Sequence, residues 1–136
     1  METLTHLLRR LDDPVRAEAP AGFDRSNAIA RFREFATELA EASTVELVSD
    51  TRIEDASFFA DLWFGAGALR FSCFGDMIAL TPDAEPPPSL LEHIRKLATR
   101  HGYVFVPTDV LEQPYTGINP GVTGIRDWWI RYFDYL

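Results

Sequence analysis

The side chains best suited to proton transfer, metal binding or nucleophilic attack are few in this 136-residue chain: three histidines and one cysteine. His93 and His101 stand eight apart on one predicted helix, about 12 Å along its axis at 1.5 Å per residue. Two helical ligands for one ion normally sit at i and i+4, so this pair is not read as a metal site. The expected role of His101 is to meet the negative end of its helix, with His93 at the surface. Cys73 falls between Ser72 and Phe74 in a strand pattern, with no histidine local to it. It is expected to act as a small buried apolar group. A single cysteine also excludes an intramolecular disulfide and a cysteine-based zinc site.

Carboxylates are plentiful, at Asp12-Asp13, Glu54-Asp55, Asp109 and Glu112. None belongs to a motif that fixes the spacing paired acid–base chemistry needs. The glycines of 117–124, ahead of a last helix with Arg126 in its first turn, invite comparison with a phosphate cradle. The lysine and hydroxyl of a P-loop are missing, no strand leads in, and Asp127 adds negative charge. A turn at Asn119-Pro120-Gly121 with Thr123 as helix cap explains the same residues. The expectation is therefore no catalytic residue, no metal and no cofactor.

Two stretches read better as binding surface. Alternation through 56–64 and 69–74 puts Phe59, Asp61 and Trp63 on one sheet face beside Arg70, Ser72 and Phe74. Trp63 is expected opposite Arg70, within reach of a cation–π contact. A half-solvated face rarely carries three large rings. Either the terminal helix covers it, giving three layers, or it is an interface. The second stretch, 127–136, holds Trp128, Trp129, Arg131, Tyr132, Phe133 and Tyr135, with apolar groups nearly all round. Trp, Tyr and Arg are the commonest interface anchors. Phe59, Asp61, Trp63, Arg70, Trp129 and Tyr132 are thus the candidate partner-binding residues. The alternative is a small-molecule pocket by the 107–126 loop, lined by Asp109, Glu112, Tyr115 and Arg126.

The elements that must position these groups follow from periodicity. Leu4, Leu7, Leu8 and Leu11 mark a first helix that ends at Asp12-Asp13-Pro14. Ala28, Phe32, Phe35, Leu39 and Ala42 give a second, capped by Asp24 or Ser26. Strands follow at 56–64, 69–74 and 77–81, with a further candidate at 45–48. A two-residue turn at Gly75-Asp76 would set Cys73 against Ile78. A four-residue loop before it would set Phe64 against Leu69 and Leu62 against Phe71. The proline run 86–88 stops the sheet. Ser89 and Glu92 form a capping box for a third helix, which Gly102 ends. A strand at 103–106, a loop to 123 and the aromatic helix complete the order ααβββαβα. One α+β domain over 1–136 is expected, an antiparallel meander of three to five strands packed by helices.

Composition bounds the rest. Basic residues number 13 against 21 acidic, a net charge of −8. Residues 43–88 carry two arginines against eight acids. Such a surface repels nucleic acid and attracts a basic protein. The first eleven residues lack the apolar stretch and cleavage site of a signal peptide, and no apolar run is long enough to span a membrane. A cytoplasmic location is expected, without a nucleic-acid or membrane partner. In size, charge and lack of a catalytic constellation the chain resembles immunity proteins, which neutralise rival bacteria's toxins by blocking them. That likeness implies a non-enzymatic domain acting by surface occlusion on a basic partner, with Glu54, Asp55 and Asp61 steering it. Self-association through the aromatic face is a further expectation.

Overall fold

A computed structural model of the chain describes residues 4–11, 23–51, 58–82, 84–113 and 127–133. In chain order these form α1 (Leu4–Leu11), α2 (Arg25–Ala42), β1 (Val48–Asp50), β2 (Phe58–Phe64), β3 (Gly67–Ser72), β4 (Met77–Leu80), α3 (Pro88–His101), β5 (Val104–Phe105), α4 (Thr108–Leu111) and α5 (Trp128–Phe133). The strands make one sheet in the order β1-β2-β3-β4-β5. β1 to β4 form the expected antiparallel meander. α3 then crosses over, so β5 returns parallel to β4. No helix of the described residues is long and apolar enough to cross a membrane.

α2 forms where its stripe predicts. The Asp24 carboxylate accepts from the Asn27 backbone N–H at 3.1 Å, satisfying one of the orphan donors of the first turn. Phe32, Phe35 and Leu39 are buried against the sheet. The Phe71 ring of β3 is the hub of that packing. It meets Phe32 at 4.8 Å, Phe35 at 5.4 Å, Tyr103 at 5.3 Å and Phe59 at 6.2 Å, all edge to face. Such pairs contribute about 0.5–1.5 kcal/mol each beyond the area they bury.

The turns differ from expectation, by two residues each. β2 and β3 are joined by the two residues Gly65 and Ala66, so Phe64 pairs with Gly67 and Leu62 with Leu69. Gly65 supplies the positive φ, 69°. Between β3 and β4 the turn has four residues, 73–76, and Phe71 pairs with Ile78. A slip of two leaves each side chain on its expected face, which is why the core survives the change. A bulge between Phe58 and Ala60 breaks the pattern. It exchanges two neighbours: Phe59 turns into the Phe71 cluster, while Phe58 moves under Arg70, whose guanidinium lies 3.9 Å from its ring centre.

The other sheet face is covered. The last carbonyls of α5 lack helical partners. β3 supplies two donors: Ser72 Oγ donates to the Tyr132 carbonyl and Arg70 Nη1 to the Phe133 carbonyl, both at 3.0 Å. Arg131 lies over the Phe74 ring at 4.7 Å, and the Tyr132 hydroxyl donates to the Leu8 carbonyl of α1. The fold is therefore three-layered, with α2 and α3 on one face and α5 and α1 on the other. α3 starts at Pro88 without a side-chain cap, so the Ser89–Glu92 capping box does not form. Proline at the first helical position needs no such donor. Gly102, at φ 78°, ends α3 as expected. β1 begins three residues later than its candidate segment and overlaps it at Val48, and α4 occupies part of the expected loop.

Candidate functional site

A cleft of about 340 Å³ opens between the first half of α2 and the β3–β4 turn. Its polar groups come from three elements. Arg31 borders the buried stripe of α2, one helical turn before Phe35. Asp76 closes the turn, and Tyr103 follows the glycine that stops α3. Phe23, Ala28 and Phe59 supply an apolar wall.

Arg31 organises the site. Its Nη1 donates to Asp76 Oδ1 at 2.7 Å and its Nη2 to the His101 carbonyl at 3.0 Å. The guanidinium lies 4.9 Å from the centre of the Tyr103 ring. One side chain thereby ties α2 to the turn and to the C-terminal end of α3, where a cation is favoured. Burial pulls the Arg31 pKa down, but the Asp76 carboxylate more than offsets this, and the net shift is upward. Asp76 adopts φ 55°, a region that non-glycine residues enter rarely, with aspartate among the more tolerant. Its carbonyl accepts from the Val104 N–H at 2.9 Å, so the turn is held from both sides.

Tyr103 is 8% exposed, and its hydroxyl finds no hydrogen-bond partner among the described residues. Burial pushes its pKa up; Arg31 opposes this, while Asp76 and Glu34 add to it. The group is thus a protonated O–H donor across the neutral range. Cys73 and Ser72 also border the cleft. Cys73 is buried as expected, though just past the end of β3 rather than inside a strand. Ser72 is engaged with the Tyr132 carbonyl and the Phe74 N–H. Tyr103 also borders a more apolar groove of about 510 Å³ between α3 and the β5–α4 segment, where Arg95, Thr99 and Thr108 supply the polar atoms. Among the described residues, no three of His, Cys, Asp and Glu gather closely enough to hold a metal ion.

Of the residues expected to bind a partner, only Phe59 borders this cleft. Phe59, Asp61, Trp129 and Tyr132 are buried within the chain, and Trp63 is half-buried. For Asp61, Trp129 and Tyr132 the physical reason is α5, which packs onto the sheet face expected as the interface; Phe59 is buried instead by the bulge that turns it into the Phe71 cluster. Trp63 pairs with Ala68, not Arg70. Arg70 instead stacks on Phe58 and pairs with Asp61. In the alternative pocket, Asp109 and Glu112 are exposed, and of the two Glu112 lines a hollow of about 370 Å³, with Pro82, Asp127 and Trp129. Tyr115, Arg126, the 117–124 loop, Asp12-Asp13 and Glu54-Asp55 lie outside the described residues.

Arg31, Asp76 and Tyr103 were not singled out by their spacing. The available signal was Arg31 itself, a charged residue four before Phe35 on the rim of an apolar stripe. No family model matches the chain, and neither a curated protein nor a solved structure matches it.

Proposed function

We propose that this chain is a binding domain for a small polar molecule, held in the cleft between α2 and the β3–β4 turn. The observation that carries the reading is the Tyr103 hydroxyl, buried beside Arg31 with no partner among the described residues. A buried donor left unmade costs about 1–3 kcal/mol, and a ligand oxygen in the cleft would remove that cost. The cleft's volume lies at the small end of the usual range for ligand sites. Its apolar wall and few convergent polar groups suit recognition of one orientation.

The test is a thermal-shift screen of small polar molecules on wild type and Tyr103→Phe. A ligand of the cleft raises the wild-type melting temperature with concentration. It binds the variant about tenfold more weakly, the worth of one hydrogen bond in a buried site. Hits that bind both proteins equally would remove the cleft from the reading.

A protein partner is the second reading, favoured by a different observation. β1 is an edge strand, and its Val48, 57% exposed, is the one large hydrophobic exposed among the described residues. Glu46 and Asp50 flank it in a chain of net charge −8. A basic segment adding to that edge would fit both features. Loss of a captured basic partner on Val48→Lys would support it, and unchanged capture would count against it.

A further inference from the structure

Resting on the small-molecule reading, the balance of charge around the cleft narrows the ligand's class. Arg31 is the one basic residue among the described residues that line it. Both terminal nitrogens of its guanidinium already point to partners, Asp76 and the His101 carbonyl. Against it stand Asp24 and Asp76 in the lining. Glu34, three residues along α2, acts on both Arg31 and Tyr103 from outside. Asp24 uses Oδ1 to cap α2 and Asp76 uses Oδ1 to hold Arg31. Each carboxylate has a second oxygen that can accept.

An incoming anion would meet two carboxylates in the lining, with Glu34 beyond them, and a guanidinium already ion-paired. An ammonium would meet acceptors with capacity to spare, and the rings of Phe23 and Phe59, 5.8 Å apart, which suit a cation or a short apolar body. The Tyr103 hydroxyl then sets a second requirement. As a buried donor it calls for an acceptor oxygen on the same molecule.

We propose that the cleft takes a small organic amine carrying a hydroxyl or carbonyl oxygen, with its nitrogen near Asp24 and Asp76 and its oxygen on the Tyr103 O–H. The volume suits a small molecule of this kind. The overall charge of −8 draws such a cation toward the protein, and salt screens that attraction.

Matched probes separate the charge requirement from the cleft itself. Leucinol and phenylalaninol are titrated into the protein beside N-acetylphenylalaninol, which keeps the oxygen and loses the charge, and phenylpropanoate, which reverses it. Chemical-shift changes of the Tyr103 and Arg31 amides report binding at the cleft. The expected result is saturable binding of the amino alcohols, weakened about tenfold or more by N-acetylation, in line with the strength of charge-assisted hydrogen bonds. Asp24→Ser keeps a competent helix cap while removing one carboxylate, and Asp76→Asn keeps a residue that tolerates positive φ. Each is expected to weaken the amines severalfold and leave N-acetylphenylalaninol unchanged. If phenylpropanoate binds as well as phenylalaninol, the class assignment falls while the cleft reading stands. If none of the four binds, the class assignment falls again, and the cleft reading is decided by the Tyr103→Phe screen.

Discussion

Asp61 and Arg70 face each other across β2 and β3, joined by two parallel hydrogen bonds, Nε to Oδ1 at 2.9 Å and Nη2 to Oδ2 at 3.1 Å. The third nitrogen of Arg70 reaches the Phe133 carbonyl. One guanidinium thus closes an ion pair within the sheet and caps the helix that covers it. A carboxylate expected to steer a partner from the surface is instead spent inside the molecule.

Removing one member of this pair is expected to be costly. Asp61→Ala takes the Asp61 carboxylate away from the Arg70 cation, whose side chain is only 14% exposed. The expected loss is about 3–5 kcal/mol, as for other broken buried pairs, read from denaturant unfolding. Asp61→Ala combined with Arg70→Met should recover much of it, because no charge is then left behind. A single-variant loss below about 1 kcal/mol would show that water reaches the pair freely.

Two glycines with similar backbones should respond differently to alanine. Gly65 and Gly75 adopt φ 69° and 57°, so both substitutions carry a backbone cost of about 1–2 kcal/mol. A Cβ on Gly65 meets nothing within 4 Å, whereas one on Gly75 falls 2.4 Å from Leu11 Cδ1. Gly75→Ala should therefore be the more destabilising in thermal melts. Adding Leu11→Ala should erase that excess but leave the shared backbone cost.

How far these features were legible depends on how local their causes are. The α2 stripe, its Asp24 cap, the end of α3 at Gly102 and the alternation of β2 and β3 arise within a few residues, and the structure has them. Turn lengths differed from expectation, yet a two-residue slip preserves each side chain's face, so Leu62, Leu69, Phe71 and Ile78 still meet. The Phe58–Phe59 exchange was illegible because a bulge depends on how β3 is paired. The cleft was illegible for a related reason. Arg31, Asp76 and Tyr103 come together only once α2 and α3 dock on the same sheet face.

The contact between Glu38 and His101 makes one part of the stability depend on pH. A hydrogen bond from the His101 ring, opposed by burial and aided by Arg100, holds the Glu38 carboxyl below its ordinary value. A carboxyl whose pKa is lower folded than unfolded stabilises the protein above the unfolded value. That contribution fades as pH falls through the folded value. Glu38→Gln should therefore melt lower than wild type near neutrality, and the gap should close in acid. A gap that is constant down through the carboxylate range would mean that the contact adds no linked stability.

Tyr103→Phe offers the most direct check on the cleft, even with no ligand in hand. If the hydroxyl is a buried donor without a partner, its removal relieves an unmet desolvation cost while keeping the ring against Phe35, Phe71 and Arg31. The variant should then be as stable as wild type or about 1 kcal/mol more stable in urea unfolding. A hydroxyl with a good partner gives the opposite sign, a loss of about 1 kcal/mol. A stabilising result would mark Tyr103 as a residue kept at some expense to the fold, a pattern common at sites selected for binding rather than for packing. A destabilising result would place a partner, such as an ordered water, on the hydroxyl and take away the observation on which the ligand reading stands.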